Sequence, residues 1–219
     1  MIPPLSVDHI RIVGIDPGTD TLGIGIVDVH CDTLEPRLVY GRTFTGHHGA
    51  ARFEHQYPNL PRRDTRVGIL LREVERVFID ACPNVIAAES PFMRKFQLSA
   101  YESLTEFHKS LRGVVWRYSP VLRLHRFDPV SVKNNVGVSH VKTTKDDVAR
   151  AVIGLYKDRC APSVEIRSFD EHTYDAIAVC HAALRTLILK DPVESTRKRK
   201  GKRGKKLDRK PVYMAKVGV

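Results

Sequence analysis

Residues 10–16 read Ile-Arg-Ile-Val-Gly-Ile-Asp and run straight into Pro17-Gly18. An apolar, β-branched stretch of this length is a buried strand, and a Pro-Gly pair after it makes the chain reverse. Leu22 to Val29 is apolar again and is expected as the returning strand. A third strand from Pro36 to Phe44 then completes an antiparallel meander. Asp16 becomes the last residue of the first strand, on a rigid base with an open top. A carboxylate there either holds a divalent cation or closes the turn as an Asx cap.

Two other segments offer ligand-type side chains from element ends. Val85-Ile-Ala-Ala-Glu89 is a short apolar strand ending in a carboxylate, followed by Ser90-Pro91-Phe92-Met93. Further on, Phe169-Asp170-Glu171-His172-Thr-Tyr-Asp175-Ala-Ile-Ala-Val-Cys reads as a helix with a polar first turn. His172 and Asp175 are three residues apart, so a helix puts both on one face. Acidic residues at a helix start also serve the helix dipole. Together the three segments match the demands of Mg²⁺, a hard octahedral ion held by a few carboxylates, water and phosphate.

The blocks GIDPGTDTLGIGI, IAAESPFM and HTYDAIAVCHA resemble, in order and spacing, the active-site blocks of RuvC-type Holliday junction resolvases of the ribonuclease H-like superfamily. A fourth stretch, Phe127 to Gly137 and then Lys142 to Val148, is similar to the family segment that carries DNA-contacting lysines before a helix. The resemblance spans residues 11–187. It implies a mixed five-stranded sheet flanked by helices. It also implies a metal-binding catalytic centre of Asp16, Glu89, His172 and Asp175, holding two Mg²⁺ ions with Mn²⁺ as a possible substitute. The implied reaction is phosphodiester hydrolysis in paired nicks across a four-way junction, leaving a 5′-phosphate and a 3′-hydroxyl, by a homodimer. The family more often has aspartate where His172 stands. Either Asp170 or Glu171 supplies that carboxylate, or His172 acts directly, its imidazole titrating near neutral pH. A related nuclease acting on forks, flaps or RNA-containing duplexes would use the same centre.

Charge fits a nucleic-acid partner. Residues 197–219 carry eleven positive charges against one acid, Asp208, and so account for ten of the formal +11. A like-charge run with few apolar residues is expected to be disordered. Arg197, Lys198, Arg199 and Lys200 begin either a phosphate-binding arm, working by counterion release, or a solubilising tail. The expected organisation is a leader at 1–9, a nuclease domain at 10–190 and the basic tail at 191–219. Nothing in the sequence reads as a signal peptide or membrane span, so a cytoplasmic protein of a bacterial or virus-infected cell is expected. The cysteines (31, 82, 160 and 180) form no CxxC pair, and Cys82 and Cys180 are expected as core fillers. His47, His48 and His55 match no standard metal spacing.

Periodicity predicts helices over 67–79, 100–118, from Lys145 to Tyr156 behind a Thr144 cap, and through 169–184, with another strand starting at Pro120. Phe92 is placed either to stack on an unpaired base or to anchor its loop in the core. Lys133 and Lys145 match the family's lysine positions. Arg94, Lys95 and Lys142 are further phosphate candidates, though single surface cations are usually only solvated.

Overall fold

Alternation along the strands gives each face of the central sheet its own core. The protein is described by a computed structural model covering residues 2–47, 59, 61–92, 98–138 and 144–190. β1 (His9–Asp16) and β2 (Thr21–His30) form the expected hairpin, and β3 (Pro36–Thr45) pairs antiparallel with β2. β4 (Val85–Glu89) and β5 (Leu124–Phe127) add parallel strands on the other side of β1. The result is the mixed five-stranded sheet that the resemblance implies, with strand order β3-β2-β1-β4-β5.

Val13, Ile15, Leu22, Ile24 and Ile26 face α1 (Arg62–Ala81) and α2 (Leu98–Tyr118), packing with Leu70, Val74, Phe78, Phe107 and Leu111. Ile12, Val27, Val29 and Ala87 face the opposite side. There they meet α3 (Pro129–Asn135), α4 (Lys145–Tyr156) and α5 (Glu171–Ala183). α5 is buried on nearly every side because Ala176, Ala178, Cys180 and Ala182 let it lie close against β1 and β2. The sheet reciprocates with glycine. A Cβ at Gly14 would stand 2.3 Å from the Ala176 carbonyl oxygen, closer than any side chain tolerates.

Arg11 is fully buried, and its guanidinium forks onto the Asp28 carboxylate at 2.6 and 2.7 Å. Its remaining nitrogen donates to the Pro3 and Ala81 carbonyls, which ties Pro3 and the end of α1 to the hairpin and satisfies the buried charge. Among the described residues no helix is long and apolar enough to cross a membrane.

Four local expectations are corrected. α1 is longer than 67–79. α3 was not foreseen, although Asp128 caps it by accepting from the Ser131 N–H and Pro129 occupies its first turn. β5 begins at Leu124, not Pro120: proline has no N–H for the ladder, and Ser119–Leu122 closes a turn that leaves Val121 exposed. Cys82 is exposed and not a core filler. Its left-handed backbone (φ 50°) lets its N–H close α1 on the Phe78 carbonyl, whereas Cys180 is buried as expected.

The half-buried His181 ring accepts a hydrogen bond from Tyr156 on α4, with Nδ1 3.1 Å from the hydroxyl. Burial, helped by Arg185 and Arg159, pushes its pKa down to about 4. Between about pH 6.5 and 4 the unfolded chain binds a proton that the folded chain refuses, so stability falls as pH falls through that window. Discounted for partial exposure, the loss from pH 7 to 4.5 attributable to His181 is about 1–2 kcal/mol. Urea midpoints should therefore drop less in His181→Gln, which keeps an acceptor for Tyr156. Parallel pH profiles for the two proteins would refute this.

Candidate active site

β1 and β4 are parallel neighbours with Ile15 opposite Ala88, so Asp16 and Glu89 end adjacent strands. Such strands lie about 4.8 Å apart, which sets the two residues side by side at one end of the sheet. Alternation carries Asp16 to the face of Ile12 and Gly14, and Glu89 to the face of Ala87. That is the face α5 covers, and the first turn of α5 lies over these strand ends.

The cap of α5 fixes this first turn. Asp170 accepts from the Thr173 N–H at 2.9 Å and from the Thr43 hydroxyl on β3 at 2.5 Å. Asp170 is therefore engaged in capping, which weakens it as the alternative metal carboxylate. Glu171 lies 3.8 Å from His172 Nε2. Nδ1 of His172 is 2.8 Å from Asp16 Oδ2, and its Nε2 is 3.0 Å from Thr21 Oγ1. Both ring nitrogens are thus engaged within the protein.

Charge is crowded here. Burial raises the Asp16 carboxyl, and the His172 hydrogen bond opposes that rise. The hydrogen bond from Asp16 raises the His172 imidazole above its ordinary value, against the desolvation of the ring. Burial and then the Asp16 charge push Asp175 up to about 7, against the pull of Lys133 and His172. Two raised carboxyls, one pushed up by the charge of the other despite His172 and Lys133 nearby, are a natural seat for a divalent ion.

Among the described residues no three His, Cys, Asp or Glu side chains are already gathered round one point. Mg²⁺ needs no such cage, since it keeps several waters and takes one or two carboxylates plus substrate phosphate. Asp16 and Asp175, with Glu89 on the next strand, fit that requirement. His172 fits better as the group orienting Asp16.

Phe92 is 58 % exposed, so it does not anchor its loop in the core. Lys133 on α3 acts electrostatically on Asp175. The side chain of Lys145 lies outside the described residues, as do Arg94, Lys95, Lys142, His48, His55, Arg197, Lys198, Arg199 and Lys200. Sequence reading missed Thr21 and Thr43. Only pairing across the sheet and onto α5 brings them to residues about 130 and 150 positions away.

No protein-family profile matches this sequence, and no curated protein sequence does. Among solved structures, the chain aligns with Thermus thermophilus RuvC bound to a Holliday junction substrate. The two are 21 % identical over 81 % of this chain and 95 % of that one, with a TM-score of 0.58. A second T. thermophilus RuvC structure gives 23 % identity, 84 % and 99 % coverage, and the same TM-score of 0.58. The fold is that of RuvC. This ribonuclease H-like RuvC fold accounts for the antiparallel meander, the two added parallel strands and the helix laid across the strand ends. A fowlpox virus resolvase in complex with Holliday junction DNA also aligns, at 12 % identity, 82 % and 99 % coverage and a TM-score of 0.48.

Proposed function

We propose that this protein is a structure-selective DNA endonuclease that resolves four-way junctions by divalent-metal-dependent phosphodiester hydrolysis. The observation that carries the reading is the crowding of Asp16 and Asp175 beside Glu89 at one end of a RuvC-fold sheet. The similarity to a RuvC solved on a junction substrate supports the choice of DNA.

Asp16, Glu89 and Asp175 would hold the Mg²⁺ or Mn²⁺, two ions per subunit. Bound there, the metal supplies Lewis acidity and neutralises charge on the phosphate undergoing substitution. The chain's own residues do the rest. His172 keeps the Asp16 carboxylate in one orientation, and Thr21 holds the ring from its other side. Lys133 adds positive potential on the Asp175 side, where phosphate charge builds. The exposed Phe92 ring stacks on a base unpaired at the crossover, worth about 1–3 kcal/mol. Lys145 and the run Arg197, Lys198, Arg199 and Lys200 add phosphate contacts whose strength falls with salt. A two-fold junction needs two equivalent cuts, which a C₂ homodimer supplies.

The test is cleavage of a labelled immobile four-way junction in Mg²⁺, alongside linear and forked duplexes. Paired, ligatable nicks confined to the junction, and absent in EDTA, are expected. Preferential cutting of forks, flaps or hybrids, or no cutting at all, would overturn the assignment.

A further inference from the structure

β5 is the outer strand of the sheet, and α2 packs beside it. Between them lie two adjoining cavities of about 680 and 650 Å³ that share Lys109, Arg112, Leu124 and Arg126 in their walls. They form one groove. One end opens at Ser90 and Pro91, immediately after Glu89, and the other reaches Trp116 and Pro120. Its walls present Lys109, Arg112, Arg123 and Arg126, and among the described residues none of the lining is acidic.

Two further features point to a ligand. Trp116 is 68 % exposed at the far end, an expensive place for an indole unless something covers it. His108 lines the near end, is only 3 % exposed and hydrogen-bonds the Glu89 backbone, yet its Nδ1 has no partner among the described residues. A buried polar atom left unpaired in a groove wall is available to a ligand.

We infer that this groove is a second nucleic-acid site. In it a DNA strand leaving the carboxylate centre runs along the β5 edge, its phosphates on Lys109, Arg112, Arg123 and Arg126 and a base against Trp116. The inference deepens the endonuclease reading and rests on it. Cations along a groove bind phosphodiesters without reading sequence, and an aromatic at the end accepts any base. The same cations would also guard an open strand edge against mispairing, a role that requires no DNA.

Trp116 is the sole tryptophan of the 219 residues, so its emission reports on this groove alone. The full chain in EDTA is titrated with a four-way junction while anisotropy of a labelled arm is followed in parallel. Quenching of Trp116 with the same midpoint as the anisotropy is expected. Arg112→Gln/Arg126→Gln should weaken binding about tenfold or more and lower the salt slope by about 2, near 0.9 per lost phosphate contact. Arg112→Lys/Arg126→Lys should restore the slope. Anisotropy that saturates while Trp116 stays unchanged, or a slope untouched in the glutamine variant, overturns the groove but leaves the nuclease reading standing. Emission that shifts on protein dilution without DNA overturns it in favour of a contact between copies. No anisotropy change with any DNA would remove the nuclease reading itself.

Discussion

Asp16→Asn is expected to lower junction cleavage by at least about 10³-fold, a barrier increase of about 4 kcal/mol, while junction affinity in EDTA stays within a few-fold of wild type. The carboxylate sits at the meeting point of β1, the His172 ring and the Asp175 charge, which makes it the central ligand of the proposed centre. Asparagine keeps the shape and still accepts the hydrogen bond from His172 Nδ1, but it cannot offer a charged oxygen. Folding should not suffer. A buried anion facing another carboxyl is costly, and the neutral amide removes that repulsion, so the melting temperature in EDTA should match or exceed wild type. Added Mg²⁺ should stabilise the wild type by mass action and leave the variant unmoved. Cleavage by Asp16→Asn at the wild-type rate would remove this residue from the centre. A variant that fails to fold would contradict the account of its burial.

Much of this arrangement was legible because local chemistry and tertiary need coincide. A strand that must be buried, a turn that must follow it and a helix with an apolar face each leave a mark within a dozen residues, and the meander, α2 and α4 follow from such marks. α3 had its mark too, in Asp128-Pro129, but seven residues show no helical period long enough to notice. Where the chain departs from expectation, distant contacts decide. Thr21 looks like an ordinary turn residue until α5 brings His172 to it. Asp170 looks like a spare ligand until Thr43 and the α5 backbone occupy it. Lys109, Arg112 and Trp116 lie along one helix, with nothing local to mark them as a binding face. Only the β5 edge, supplying Arg123 and Arg126 from another element, turns that face into a groove. Arg11 carries no mark of its burial, because nothing local announces that Asp28 and two carbonyls meet it inside.

Gly23→Ala is expected to destabilise the protein by about 2–3 kcal/mol and to cut cleavage by about 10²-fold or more, through a single methyl group placed under α5. Gly23 pairs with Asp16 across the hairpin, and a Cβ there would stand 2.0 Å from the His172 carbonyl oxygen and 2.5 Å from its carbon. Both atoms belong to backbone, so no rotamer change relieves the clash. Either β2 bends or the first turn of α5 lifts. The turn is the softer partner, since its cap rests on a few side-chain hydrogen bonds while β2 is paired on both sides. Lifting it carries His172 and Asp175 away from Asp16, and a displacement near 1 Å is enough to spoil a centre that works by position. The two readouts should therefore fall together, with the melting temperature down by roughly 5–10 °C. Gly68→Ala is the control. It lies in α1 with no described atom within 4 Å of the added methyl, so it should raise stability by about 0.5–1 kcal/mol and leave cleavage untouched. If Gly23→Ala melted and cut like wild type, α5 could not be seated on the hairpin as described. The convergence of the three sequence blocks on one site would then lose its structural basis.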